Sequence, residues 1–194
     1  MSPILGIYAS QISGHLFAPS GAYDSIATVT VGAGGAASIT FSSIPATYTH
    51  LQLRATMRTS DTGSYAADIV IQFNSDTGTN YSNHILYGNG SSAGSGGASS
   101  QSKNYTIFTS TAIAGSSFFG AAVVDVLDYA NTNKYKTIRS LSGADYNNTN
   151  GQVRFGSSVW LNTNAINTIT LTDYVRTNFA QYSSFALYGI KGGN

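Results

Sequence analysis

Residues 118–143, FFGAAVVDVLDYANTNKYKTIRSLSG, restrict the fold of this chain more than any other stretch. Two runs suited to strands flank Asn131, Thr132 and Asn133, polar residues of the kind that turn a chain back on itself. Folding about Thr132 sets Asp128 against Lys136, Asp125 against Arg139, Val126 against Ile138, Val123 against Leu141 and Tyr129 against Tyr135. Acids meet bases and apolar groups meet apolar groups, each match contributing roughly 0.2–1 kcal/mol in an antiparallel ladder. A slip of one residue would carry every side chain to the opposite face. The segment predicts a long β-hairpin in a single register, and it assigns Asp125, Arg139, Asp128 and Lys136 to structural ion pairs.

Strand signals continue along the chain at short intervals, separated by turn residues. Leu51, Leu53, Ala55 and Met57 alternate with His50, Gln52, Arg54 and Arg58, and Ile69, Ile71 and Phe73 share one face of the next run. About eleven strands are expected, and no segment carries a helical period. Composition agrees: all eight acids are Asp, so Glu, a good helix former and poor strand former, is absent. A chain of 194 residues is long enough for one core of this kind. The reading is an all-β, antiparallel β-sandwich over residues 23–194, preceded by an extended N-terminal arm at residues 1–22.

Charge narrows the partners. Charged residues make up 9% of the chain and the formal net charge is +1, with the bases scattered. No field of clustered Lys and Arg exists to attract a phosphate backbone, which argues against nucleic acid. The apolar N-terminus lacks a basic leader and contains Pro3, Gly6, Gln11, Gly14 and His15, so neither an export signal nor membrane insertion is expected. With no Cys there are no disulfides or thiolate metal sites, and stability is expected from packing and from association with other chains.

The chemical motifs are weak. Gly90-Ser91-Ser92-Ala93-Gly94 fits a nucleophile elbow, but it lies in a Gly/Ser tract with no helix to follow. Gly32-Ala33-Gly34-Gly35-Ala36-Ala37 precedes a strand instead of the helix that a dinucleotide site needs. The Asp76 turn, residues 74–80, resembles a calcium loop without its closing acid, since Ile85 stands in that place. His15, His50 and His84 show no ligand spacing. No cofactor, metal or catalytic residue is expected. Asp61, Asp68, Asp76, Asp145 and Asp173 remain as the acids from which a polysaccharide-cleaving pair would have to come.

Two polar segments interrupt the strand pattern. Residues 88–102, GNGSSAGSGGASSQS, read as a flexible loop, and residues 145–151, DYNNTNG, as a turn. Asn89, Ser91, Ser92, Tyr146, Asn147, Asn148 and Asn150 are the candidate contact residues. Pro3, Ile4, Leu5, Ile7, Tyr8, Ile12, Leu16 and Phe17 supply the apolar groups of the arm, read as a docking element.

Three segments, SPILGIYASQISGHL, VVDVLDYANTNKYKTIRSLSG and FAQYSSFALYGIKG, together resemble small virion structural proteins of tailed bacteriophages. YDSIATVTVGAGGAASITFSSIPATYTHLQLR and IQFNSDTGTNYSNH fit the same pattern, so the likeness covers nearly the whole chain. The resemblance implies a non-enzymatic protein with a jelly-roll-like sandwich on the virion exterior, assembled in the bacterial cytoplasm. The expected partners are other virion proteins, further copies of itself in a homo-oligomer with a trimer favoured, and a host-surface glycan. A tail-associated or fibre-like role leads, a capsid decoration (cement) role is the alternative, and a polysaccharide-degrading enzyme is the remote one.

Overall fold

The computed structural model describes residues 21–147 and 150–192. The docking residues Pro3, Ile4, Leu5, Ile7, Tyr8, Ile12, Leu16 and Phe17, and the loop residue Asn148, lie outside the described residues. Among those described there are twelve strands: β1 (Tyr23–Thr30), β2 (Ile39–Phe41), β3 (His50–Met57), β4 (Ala66–Phe73), β5 (Tyr81–Gly88), β6 (Ala93–Gln101), β7 (Asn104–Ser110), β8 (Gly120–Leu127), β9 (Lys136–Ala144), β10 (Gln152–Trp160), β11 (Ile169–Asp173) and β12 (Ser184–Ile190).

They form two antiparallel sheets, one of eight strands in the order β1-β12-β3-β8-β9-β10-β5-β6 and one of four in the order β2-β11-β4-β7. Removing β5, β6, β9 and β10 leaves two four-stranded sheets, β1-β12-β3-β8 and β2-β11-β4-β7, between which the chain passes as a jelly roll does. The fold is therefore an all-β sandwich with jelly-roll connections. Two hairpins, β5–β6 and β9–β10, are inserted into it, and their strands extend the first sheet beyond β8.

The core lies between the sheets. Leu51, Leu53, Ala55 and Met57 of β3 and Ile69, Ile71 and Phe73 of β4 point inward as their alternation predicts. At one end Phe73, Tyr81 and Trp160 pack together, with ring centroids 5.6–6.4 Å apart. Strand β7 lies close against the extension: a Cβ at Gly156 would stand 2.5 Å from Thr106 Cβ, so glycine is required at that crossing.

The predicted hairpin is present in its expected register. Val126 faces Ile138, Asp125 faces Arg139 and Val123 faces Leu141. One ion pair needs correction. The ladder ends at Leu127, and Asp128 takes a left-handed conformation (φ 49°) that turns its carboxylate to Lys134, 2.5 Å away. That contact holds the Asp128 carboxyl below its ordinary range, against some desolvation. Lys136 is fully buried, and its ammonium donates to the carbonyls of Asn131, Lys134 and Thr163. The reason is alternation: Asp128 and Lys136 sit on the same face as Val126 and Ile138, which is the core face. Asp128 escapes it by the turn and Lys136 finds carbonyls. Tyr129 is buried and Tyr135 exposed, so they do not pair either.

Asp125 and Arg139 are 3.8 Å apart, and Asp125 is held more closely by Gln52 Nε2 at 2.8 Å. Arg54 Nε donates to Gln52 Oε1 at 2.7 Å, and the Arg54 guanidinium lies 5.3 and 5.4 Å from the ring centroids of Tyr23 and Tyr188, which meet edge to face.

A second correction concerns residues 88–102. The expected flexible loop is a turn at residues 89–92 followed by strand β6, paired with β5 along its length. Backbone bonds hold this strand, whose own apolar side chains are only those of Ala93 and Ala98. Tyr87 lies across Gly94 and His84 across Gly97, so closely that a Cβ at either glycine would meet the ring at about 2.5 Å. Rings laid across glycines cover a ladder that glycine alone leaves weak.

Candidate functional site

Register places the two inserted turns together. Gly88, where β5 ends, is opposite Val153 of β10, and Gln152 is opposite Ala144, where β9 ends. The turn at residues 89–92 and the loop at residues 145–151 therefore leave the same end of the sandwich side by side. They border a groove of about 430 Å³ lined by Ser64, Tyr65, Asn89, Asn150 and Gln152. It continues between the sheets into a cleft of about 300 Å³ lined by Asp61, Asp68, Arg154, Asp173 and Tyr174. Ser64, Ala66, Phe108 and Gln152 line both.

The cleft has polar walls. Arg154, on the inner face of β10, pairs through Nη1 with Asp68 of β4 and through Nη2 with Gln152 Oε1 at 3.1 Å, while its guanidinium lies 5.3 Å over the Phe108 ring. Asp173 is fully buried. Its Oδ2 accepts from the Thr177 amide at 3.2 Å and from the Thr177 hydroxyl, while its Oδ1 has no hydrogen-bond partner. Arg154 Nε lacks one too. Asp61 Oδ1 accepts from the Gly63 amide at 2.8 Å. At the rim, the Tyr174 ring is covered on one side by the Lys103 ammonium, 4.6 Å from its centroid. Burial and the neighbouring charge of Arg176 both lower the Lys103 pKa.

Of the predicted contact residues, Asn89, Ser91, Ser92, Asn147 and Asn150 are exposed. Asn89 Oδ1 accepts from both the amides and the hydroxyls of Ser91 and Ser92, so these hydroxyls serve the turn. Asn147 donates its amide to Asp145 Oδ1. Tyr146 is a correction: it is buried against Tyr65 and Phe118 at 6.4 and 6.2 Å and anchors the loop from beneath. Burial pushes its hydroxyl pKa up to about 12.

The five acids left without a role in the sequence separate clearly. Asp61, Asp68 and Asp173 line the cleft without clustering, whereas Asp76 holds the Trp160 indole and Asp145 caps its own loop. Tyr65, Gln152 and Arg154 drew no attention in the sequence, because what unites them is the approach of β4 to β10. The Asp125 and Asp128 carboxylates stay apart, one on the outer sheet face and one in the β8–β9 turn. Among the described residues no three His, Cys, Asp or Glu gather as a metal would need, and no helix is long and apolar enough to cross a membrane.

Chemically, the groove offers carboxylate acceptors, amide and guanidinium donors and half-exposed Tyr65 and Tyr174 rings, a set suited to hydroxyl-rich ligands. No family of known proteins matches this chain, and neither does any curated protein or solved structure.

Proposed function

We propose that the protein is a non-enzymatic structural subunit on the exterior of a tailed bacteriophage virion, attached through residues 1–22 and presenting its loop end to the host surface. One observation carries this reading. Tyr23, the first residue of β1, aligns through Ile190 and His50 with the β8–β9 turn, while both inserted turns leave at the opposite end. The chain thus enters the sandwich at one pole and displays its added loops at the other, the polarity that an attached, outward-facing body requires. Function on a shared fold resides in what is grafted onto it, and here the grafts are the two hairpins.

A host-surface glycan is the ligand class that the loop-end groove fits. Individually weak contacts of this kind become strong when several copies engage together. The polysaccharide-cleaving alternative has less support: Asp68 is held by Arg154 and Asp173 is fully buried, which leaves Asp61 without a free partner acid in the cleft. A tail position is favoured over a capsid decoration role because a ligand groove serves a host-facing protein and not a cement.

Removing residues 1–20 tests the attachment. The expected result is a folded domain with unchanged thermal unfolding that no longer enters particles, measured by mass spectrometry of purified virions. Normal incorporation of the shortened chain would overturn the role given to the arm.

A further inference from the structure

The outer face of the eight-stranded sheet carries an apolar row in exact register. Val123 of β8, Leu141 of β9, Phe155 of β10 and Leu86 of β5 are direct neighbours. They are 38%, 53%, 49% and 58% exposed, and Val153 beside them is 56% exposed. One step along the strands on one side, the row Asp125, Arg139, Ser157 and His84 is polar. On the other side, Ala121, Gly143 and Gly88 leave a trough next to Val153. Beside the apolar row, Ala121, Val123, Leu141, Gly143 and Val153 line a hollow of about 290 Å³. Contiguous exposed apolar groups on central strands mark a surface that another protein covers.

We infer that this face binds a second copy of the same chain about a two-fold axis running parallel to the strands between β9 and β10. Such an axis exchanges β8 with β5 and β9 with β10 while keeping each row at its level. Val123 then meets Leu86 of the second copy, and Leu141 meets its Phe155. Val153 fills the trough at Gly143. Asp125 faces His84 of the second copy, and Arg139 faces its Ser157. One rotation satisfies all three rows, which is the self-complementarity that a two-fold contact demands.

The contact goes beyond the virion reading and does not rest on it, because it concerns the purified protein alone. It also replaces the expected trimer with a two-fold pair. Sedimentation of the full chain is expected to give twice the 20.3 kDa of one chain. A mass of one chain or of three would overturn the inference, the former including the case in which residues 1–20 cover the face.

Leu141→Asp and Phe155→Glu lie on the solvent side of the strands, so the variants are expected to keep the native circular dichroism and unfolding midpoint. Their self-association should weaken by more than about tenfold, as loss of a central apolar anchor does. Association unchanged in both would sink the proposal. Register is tested with thiols, since the chain has no Cys of its own. A bis-maleimide matching the roughly 10 Å between packed sheets should link the double variant Leu86→Cys, Val123→Cys into covalent dimers and leave the single Leu86→Cys variant unlinked. Equal linking of both would refute the axis.

Discussion

Replacing Lys136 by methionine is expected to destabilise the domain by about 3–4 kcal/mol, since three hydrogen bonds from a charged donor, each worth roughly 1.5–3 kcal/mol, are lost and rehydration of the carbonyls of exposed Asn131, Lys134 and Thr163 recovers part of that. Methionine matches the length and apolar stem of lysine, so packing is nearly preserved and the loss isolates the ammonium. The carbonyls of Asn131 and Lys134 lie in the β8–β9 turn and that of Thr163 in the β10–β11 connection, so Lys136 is the pin that joins the two. Urea unfolding should show a lower midpoint with an unchanged slope. A loss below about 1 kcal/mol would mean that water reaches these carbonyls easily.

The same group sets a pH dependence. Desolvation lowers the Lys136 pKa in the folded state, with the Asp128 charge partly opposing it. A folded pKa below the unfolded one means that the unfolded chain binds the proton more readily in the interval between them. The increment of stability linked to this shift is therefore present above the ordinary value of 10.5 and is lost as pH falls through the folded value, below which the hydrogen bonds of the ammonium remain. Wild-type stability should gain relative to Lys136→Met as pH rises through that interval.

Asp76→Ala is expected to cost a similar amount, about 3–4 kcal/mol, from charge-assisted bonds worth roughly 1.5–3 kcal/mol and a stranded buried donor. Asp76 Oδ2 accepts from the Trp160 indole at 2.7 Å and from Asn80 Nδ2 at 2.9 Å, while Oδ1 accepts from the Gly78 amide at 2.8 Å. Trp160 is almost completely buried against Phe73 and Tyr81, so its N–H has no easy route to water. Burial alone would raise the Asp76 pKa, but the bonds from Asn80, Trp160 and Gly78 outweigh it and the net shift is downward. Its stabilising contribution is present above the ordinary value of 3.8 and is lost as pH falls through the lower folded one. Acid unfolding of Asp76→Ala should therefore show a shallower pH dependence, with altered Trp160 fluorescence as the local readout.

Much of this architecture was legible in the residues. The hairpin register followed from matched pairs about Thr132, and the inward faces of β3 and β4 followed from alternation. Alternation implies more than the pairs. Val123 and Leu141 share a face with Asp125 and Arg139, so the same pattern that buries Val126 and Ile138 leaves Val123 and Leu141 exposed. Likewise Lys136 shares the core face of Ile138, and a charge there has to find buried acceptors or leave.

Strand β6 was hidden for a different reason. A Gly/Ser run has no side-chain periodicity, and its pairing depends on Tyr87 and His84 of the neighbouring strand. The loop-end groove was half visible: the polar turns marked its rim, but its depth comes from Asp68, Arg154 and Asp173, which lie on three strands distant in sequence. Tyr146 is a third case: a tyrosine in an Asn-rich loop looks exposed until Tyr65 and Phe118 are placed beneath it.

The polarity of the sandwich is the claim on which the proposed role stands. A density map of the phage particle assembled with this chain tests it most directly. The account predicts Tyr23 directed toward the body of the particle and the turns at residues 89–92 and 145–151 directed to solvent. Absence of the chain from the particle, or those turns buried against the shell, would contradict it.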